Sequence, residues 1–178
     1  MKKCFLTLLL VALFSLVACN NNTNNDVPPR EEVVYVDNLI EQGKDFDTKT
    51  LIQGLPGVWK TDTVLRYDDN WQDLLKVDRY KGNGGIWEQY TFMADGTGQY
   101  CSPGALDDLV IFDIDWQYDV ENKNLIIALH YTDGYIEEVL DMQWKIIAFS
   151  DEYLVFDDGS FVTQPQNMRC VYKRVTDK

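Results

Sequence analysis

The chain has 178 residues, of which 46% are hydrophobic, and a formal net charge of −13 at pH 7. Such an acidic balance argues against binding to nucleic acid and against docking on anionic lipid heads through the protein surface. The length suits one domain with a hydrophobic core rather than two.

The first residues form a targeting segment. Two lysines precede an apolar run from Phe5 to Val17, which is shorter than the ~20 residues of a membrane span. The run ends in Leu16-Val17-Ala18-Cys19, which resembles the lipobox of bacterial lipoproteins. The resemblance implies a signal peptide over residues 1–18 and diacylglyceryl attachment to the Cys19 thiol. An ordinary signal peptide with a chance cysteine is the alternative.

Lipidation would hold the protein on a membrane without a spanning segment. Two acyl chains such as palmitate give a stable anchor, whereas one chain binds reversibly. Position 20 is Asn rather than the Asp that is common in lipoproteins of the inner membrane, so the resemblance implies the outer membrane, with its face left open. Removing residues 1–18 from 178 leaves 160, and loss of the two lysines changes the net charge from −13 to −15.

The segment 19–37 is predicted to be the lipidated cysteine and a flexible tether, because it is rich in Asn and Pro. Residues 38–178 are predicted to form the folded domain. Near this boundary, "VVYV" fits a short edge strand. The sequence "FDTKTLIQGL" predicts a short helix, with Asp47 as its cap and Gly54 as its end.

Strands are predicted from Gly57 onward, where apolar residues alternate with polar ones. The clearest strand is "VIFDIDWQY". The segment "WQDLLKVDRY" is interpreted as a strand, although Trp71, Leu74 and Leu75 also fit a helical face. Turn sequences of the hairpin type predict antiparallel neighbours. These turns are Asn83-Gly84-Gly85, Asp95-Gly96, Asp133-Gly134 and Asp158-Gly159.

Alternation also predicts which side chains face inward. The first strand contributes Trp59, Thr61, Thr63, Leu65 and Tyr67. The middle strands contribute Tyr90, Phe92, Val110, Phe112, Ile114, Trp116, Tyr118, Leu125, Ile127, Leu129 and Tyr131. The last strands contribute Leu140, Met142, Trp144, Ile146, Leu154, Phe156, Met168, Cys170 and Tyr172, with Arg174 at the end.

Together these elements predict an all-β, antiparallel up-and-down meander barrel of about eight strands, preceded by a short N-terminal helix. Antiparallel closure places the start of the first strand beside the end of the last, so Trp59 should lie near Arg174. A guanidinium over an indole is a favourable contact that would seal one end of the barrel.

Gly57-Val58-Trp59 after a short helix, with a basic residue on the final strand, looks like the calycin pattern of lipocalins and fatty-acid-binding proteins. More specifically, "GVWK", "YTFMADGTGQY", "MQWKIIAFSDEYLVF" and "CVYKR" resemble the lipocalin-like domains of lipoproteins from Gram-negative bacteria. The second and third conserved lipocalin blocks are not recognisable, and Arg169 is an alternative to Arg174. The alternative interpretation of Trp59 is a core tryptophan in some other β-sandwich.

The sequence offers little catalytic chemistry. His130 is the single histidine and is predicted to face outward, and no serine lies in a Gly-x-Ser-x-Gly turn. Catalytic triads and metal sites are therefore not expected, and no cofactor is predicted. Asp113 and Asp115 fall on the wet face of their strand, and Asp157-Asp158 lacks EF-hand spacing. The protein is predicted not to be an enzyme.

Two cysteines, Cys101 and Cys170, remain in the predicted mature domain. In an oxidising envelope they could pair and close a long loop. Alternatively, both are free and act as small apolar residues.

An eight-stranded barrel is just wide enough to be filled by side chains or to hold one small ligand. Glu88 shares the parity of Tyr90 and is the one acid expected to face inward. One hypothesis is therefore a barrel that binds a small, largely apolar ligand, as the lipocalin resemblance implies. The alternative is a filled barrel that contacts an envelope protein or a glycan through Trp71 and Trp87. The pocket candidates are Tyr67, Glu88, Tyr90, Phe92, Phe112, Trp116, Leu140, Trp144 and Tyr172.

Overall fold

The computed structural model describes residues 30–80, 87–103, 109–132, 137–158 and 167–176. Two helices come first, α1 (Arg30–Gly43) and α2 (Thr48–Gly54). Nine strands follow: β1 (Gly57–Tyr67), β2 (Leu74–Arg79), β3 (Gln89–Phe92), β4 (Thr97–Pro103), β5 (Leu109–Asp119), β6 (Asn124–Thr132), β7 (Glu137–Phe149), β8 (Tyr153–Asp158) and β9 (Asn167–Arg174). Cys19 and the predicted signal peptide lie outside the described residues.

Eight strands close into an antiparallel barrel. From β3 to β9 each strand pairs with the next along the chain, and β1 pairs with both β3 and β9. Strand β2 is additional and pairs with the second half of β1, from Thr63 to Tyr67. The predicted meander barrel is confirmed, and the prediction of a strand within "WQDLLKVDRY" is confirmed by β2.

The barrel has two different ends, which we call the base and the mouth. At the base, β1 begins, β9 ends, and three connections cross between strands, over residues 93–96, 120–123 and 150–152. Gly96 in the first of these has φ +90°, as the Asp95-Gly96 turn predicts. The mouth is the opposite end, where β1 ends and β9 begins. Residues 81–86, 104–108, 133–136 and 159–166 lie outside the described part of the chain. These ranges contain the predicted turns at Asn83, Asp133 and Gly159.

Strand β1 changes its inward face partway along. The pairing with β9 shifts register between Thr61 and Thr63, which inserts Asp62 as a bulge. Before the bulge Trp59 points into the barrel, and after it Val64 does. The prediction that Thr63, Leu65 and Tyr67 face inward is therefore wrong. One extra residue moves each of them to the outer wall, where Leu65 and Tyr67 join a second apolar cluster.

That second cluster lies beneath helix α1. Val36, Leu39 and Ile40 have the i, i+3, i+4 spacing of one helical face and pack against the outer wall of the barrel. Their partners include Leu65 and Val171. The interpretation of "VVYV" as an edge strand is wrong, because these residues lie within α1, which also includes part of the segment assigned to the tether.

Helix α2 closes the base. Asp47 caps it by accepting a hydrogen bond from the Thr50 backbone N–H at 2.9 Å, and the helix ends at Gly54, as predicted. Leu51 and Leu55 are buried in the same cluster as Trp59 and the other interior side chains. The helix thus covers the lower opening of the barrel with apolar side chains.

Candidate functional site

The base is sealed by the predicted pair. Trp59 lies opposite Arg174 in the register, and the guanidinium carbon is 4.3 Å from the indole centroid. Arg174 also donates to the carbonyls of Pro56 at 3.0 Å and Asp151 at 2.7 Å, and to that of Gly54. Trp59 Nε1 donates to Leu55 O at 2.7 Å. The indole N–H of Trp59 and all three guanidinium nitrogens of Arg174 are hydrogen-bonded to backbone carbonyls of the protein. The contact therefore has a structural role.

Gly57 is required at this position for two reasons. Its φ of +143° is a conformation that side chains rarely adopt. A Cβ there would also overlap Arg174 Nη1. The alternative candidate for the basic residue, Arg169, lies instead on the outer wall in a two-pronged ion pair with Asp157, at 2.7 and 2.9 Å.

Aromatic rings fill the interior above the base. Trp144 stacks on Phe156 with centroids 4.0 Å apart, and Tyr90 meets the edge of Trp144 at 4.7 Å. Tyr172 lies 5.9 Å from both Trp144 and Tyr90. These predicted inward positions are confirmed, and at this depth the barrel is packed with side chains.

Toward the mouth the interior rings become partly exposed. A chain of contacts leads outward from Tyr90 to Tyr100 at 4.9 Å, then to Phe112 at 6.2 Å, and then to Tyr131 at 5.1 Å. The last three rings are only half-buried. Leu140 has the predicted inward parity but lies beyond the packed region with 45% of its surface exposed. The barrel therefore opens onto an aromatic rim.

Two other pocket candidates lie elsewhere. Trp116 packs against Phe92 at 5.6 Å, and its Nε1 donates to the carbonyls of Met93 and Thr97, each at 3.0 Å. This anchors Trp116 to the β3–β4 turn at the base. Tyr67, on the outer wall because of the bulge, does not face the interior at all.

Glu88 faces the interior, as its parity predicts. Its backbone is fixed to β1: Thr61 N donates to Glu88 O at 2.9 Å, and Glu88 N donates to Thr61 Oγ1 at 3.1 Å. The carboxylate accepts hydrogen bonds from the hydroxyls of Tyr172 at 2.7 Å and Tyr100 at 3.3 Å. A carboxylate is thus held among aromatic rings, between the packed interior and the rim.

Glu88 is not the one acid that faces inward. Asp158, assigned to a turn from the sequence, is the last residue of β8 and is only 4% exposed. It shares the parity of Leu154 and Phe156, and its cross-strand neighbours are Trp144 and Met168. The alternation in "YLVFDD" continues one residue further than the Asp-Gly pair suggests, and this signal was available in the sequence.

A third acid and an arginine complete the polar side of the mouth. Arg66 and Asp78, on neighbouring positions of β1 and β2, form an ion pair at 3.0 Å. The Arg66 guanidinium also contacts Met168 Sδ, an interior atom, at 3.1 Å. The bulge reverses the parity of β1 after Thr61, so an unbroken period of two counted from Trp59 would put Arg66 on the outside.

The interior strongly disfavours additional negative charge. Burial, with a further contribution from Glu88, raises the pKa of Tyr90 and Tyr172 well above the ordinary 10.0. Burial, followed by Asp158 and Glu88, likewise raises the pKa of the Cys170 thiol. Burial, the largest cause, disfavours a charge of either sign, and the contributions of Glu88 and Asp158 add to this only for a negative charge.

One interior polar atom lacks a partner. Within the described part of the chain, Trp144 Nε1 is buried and makes no hydrogen bond. The whole side chain is 2% exposed and lies among Tyr90, Phe156 and Tyr172. A buried N–H without an acceptor costs about 1 to 3 kcal/mol.

The remaining candidates do not converge on the interior. Cys101 and Cys170 are both free, and strand alternation puts Cys101 on the outer face, while Cys170 is buried inside. His130 Nε2 lies 2.9 Å from Asp115 on the exposed wall. Trp87 is half-buried beneath Lys60, whose Nζ is 4.1 Å from its ring.

Neither metal binding nor a helical span is found in the described ranges. No group of three or more His, Cys, Asp or Glu side chains there is arranged to hold a metal ion. Asp157 and Asp158 point to opposite sides of β8, with Asp157 bound to Arg169 outside. No helix in these ranges is both long and apolar enough to cross a membrane.

No family model and no curated protein matches the chain. Among solved structures, a lipocalin-like protein from Bacteroides uniformis has a TM-score of 0.46 and 11% identity, covering 68% of this chain and 99% of its own. A biogenic amine-binding protein has a TM-score of 0.46 and 14% identity, with 75% and 69% covered. A bovine odorant-binding protein mutant has a TM-score of 0.37 and 13% identity, with 70% and 76% covered.

Proposed function

We propose that this protein is a lipid-anchored cell-envelope protein whose barrel binds a small, largely apolar ligand through the mouth. The observation that carries the proposal is the Glu88 carboxylate, which the Tyr100 and Tyr172 hydroxyls hold between the packed interior and the half-buried rings of the rim. A barrel filled only for stability gains nothing from placing a carboxylate among its interior rings, because taking a charge out of water is costly. Ligand sites, in contrast, are mostly apolar with a few placed polar groups.

The chemistry of the interior defines the ligand further. Half-buried rings at the rim offer apolar surface, and Glu88 offers a carboxylate with tyrosine rings beside it. An ammonium group is attracted both by a carboxylate and by aromatic faces. The proposed ligand is therefore a compact, largely apolar molecule that carries an amine, with its apolar part against Tyr100, Phe112 and Tyr131.

Isothermal titration of the full chain, purified with its lipid anchor, tests this proposal with two matched probes. We expect 1-naphthylmethylamine to bind at least about tenfold more tightly than 1-naphthylmethanol, which has a similar shape without the charge. In Glu88→Gln this preference disappears while the alcohol binds as before. Absence of binding by either probe to the wild type argues against an interior site for ligands of this class.

The anchor is proposed from the lipobox alone. In this proposal Cys19 carries the lipid, and the Asn20 that follows it directs the protein to the outer membrane. Labelling growing cells with an alkynyl palmitate analogue should tag the wild type and not Cys19→Ser. Label on Cys19→Ser, or none on the wild type, contradicts the anchor without bearing on the interior site.

A further inference from the structure

The outer wall carries a second candidate site, an open groove of about 770 Å³ on the mouth side of helix α1. Leu65, Val171 and Val155 lie beneath the helix. The next outward-facing positions on the same strands, Tyr67, Arg169 and Asp157, lie beyond it and line the groove. The groove therefore begins where the helix stops covering the barrel wall, and we call it the outer-wall groove.

Aromatic rings form one side of the outer-wall groove. Trp71 and Tyr67 lie with their centroids 5.5 Å apart at an interplanar angle of 35°. The Arg169 guanidinium is 5.9 Å from the Trp71 centroid and 5.8 Å from that of Tyr67. Asp157 holds this guanidinium with two hydrogen bonds. The rings are thus supported by a fixed cation.

The turn that carries Trp71 holds this residue in an unfavourable backbone conformation. Trp71 has φ +60°, a conformation that favours Gly or Asn. The turn is closed by Asp68, whose carbonyl accepts from Trp71 N at 3.0 Å and whose carboxylate accepts from Gln72 N at 2.7 Å. Asn167 Nδ2 donates to the same carbonyl and ties the turn to β9. A bulky ring is therefore kept where a glycine would be easier to place.

Polar side chains without partners form the other side. Asn124 on β6 and Asp141, Gln143 and Lys145 on β7 line the groove. In the part of the chain that the structure describes, none of these four side chains makes a hydrogen bond or ion pair. Two amides, a carboxylate and an ammonium therefore present free donors and acceptors opposite the rings.

We propose that the outer-wall groove binds an uncharged carbohydrate. A sugar ring has an apolar face that suits an aromatic ring, and hydroxyls that both donate and accept hydrogen bonds at its edge. The charges in the groove cancel, with Asp141 and Asp157 against Lys145 and Arg169, and the whole chain is acidic. This balance disfavours a polyanion such as nucleic acid. The site is separate from the barrel interior and does not depend on the proposed ligand there.

Isothermal titration of the full chain tests the proposal with cellohexaose, maltohexaose, xylohexaose and mannohexaose, and with an anionic heparin hexasaccharide for comparison. We expect at least one neutral hexasaccharide to bind and the heparin probe not to bind. Trp71→Gly should weaken that binding at least about tenfold. Glycine suits the positive φ at this position, so the variant is expected to fold.

Two further variants keep the test specific. Gln143→Ala removes an unpartnered amide from the opposite side and should also weaken binding of the same hexasaccharide. Trp87→Ala removes a tryptophan that lies outside the groove and should leave the binding unchanged. The proposal is overturned if no neutral probe binds, if heparin binds in preference, or if Trp71→Gly binds as the wild type does.

Discussion

The residues at the base show most clearly how a local requirement specifies the fold. Gly57, Trp59 and Arg174 satisfy one another: the glycine leaves room for the guanidinium, which lies over the indole and bonds carbonyls of the chain that enters β1. Alternation and antiparallel closure were enough to predict this contact, because both follow from strand geometry alone. The Asp62 bulge could not be predicted in the same way, since one inserted residue leaves no mark on composition.

Gly57→Ala should destabilise the protein by about 1 to 3 kcal/mol, because it strains the backbone and displaces the Arg174 guanidinium. Urea denaturation of the full chain measures the loss. In an Arg174→Lys background, which lacks the guanidinium, the same substitution should cost less. An equal cost in both backgrounds would show that the two residues do not interact.

Tyr90→Phe tests the electrostatics of the interior. Burial raises the pKa of the Tyr90 hydroxyl above 10.0, so the folded state retains a proton that the unfolded chain releases. The stability that depends on this proton is complete below about pH 10 and is lost as the pH rises further, by up to about 1.4 kcal/mol per pH unit.

The variant lacks this titration, and its hydroxyl contact is only a long one to Met142 Sδ at 3.9 Å. Urea denaturation between pH 8 and pH 11 should therefore show Tyr90→Phe losing less stability than the wild type above pH 10. At pH 8 the two proteins should be similar. Parallel loss of stability in both would contradict a buried, protonated Tyr90.

Among the helices and strands that the structure describes, helix α1 was not predicted from the sequence. The β-branched residues of "VVYV" suggested a strand. Four consecutive apolar residues show neither the period of a strand nor that of a helix. The wider spacing of Val36, Leu39 and Ile40 was a helical signal that the four-residue window concealed. The helix matters for function in our account, because its end defines where the outer-wall groove begins.

Val36→Asp should reduce the free energy of unfolding by about 3 kcal/mol or more, because it places a charge in a fully buried position between α1 and the barrel wall. Val34→Asp, on the same helix but 49% exposed, is the matched control and should change stability by no more than about 0.5 kcal/mol. Urea denaturation of both variants measures these changes in the free energy of unfolding. Similar values for the two would mean that α1 is not held against the wall.

At the scale of the whole molecule, strand order was predictable and the interior was only partly so. Turn sequences and alternation led to a closed meander, since hairpins leave few ways to connect strands. Alternation predicts which side chains face the interior, but it does not predict how far each one lies from the base of the barrel. Trp144 and Phe112 share an inward parity, yet one is packed at the centre and the other lies at the rim, because strand stagger sets their heights.

The central claim, that the barrel holds a small ligand, is tested most directly by native mass spectrometry of the full chain released from its own envelope. We expect a small molecule bound without a covalent bond, so that collisional activation removes it while any covalently attached group, such as the lipid proposed for Cys19, stays in place. Occupancy should fall in Glu88→Gln. A wild-type spectrum that shows the chain without any noncovalently bound molecule would contradict the claim.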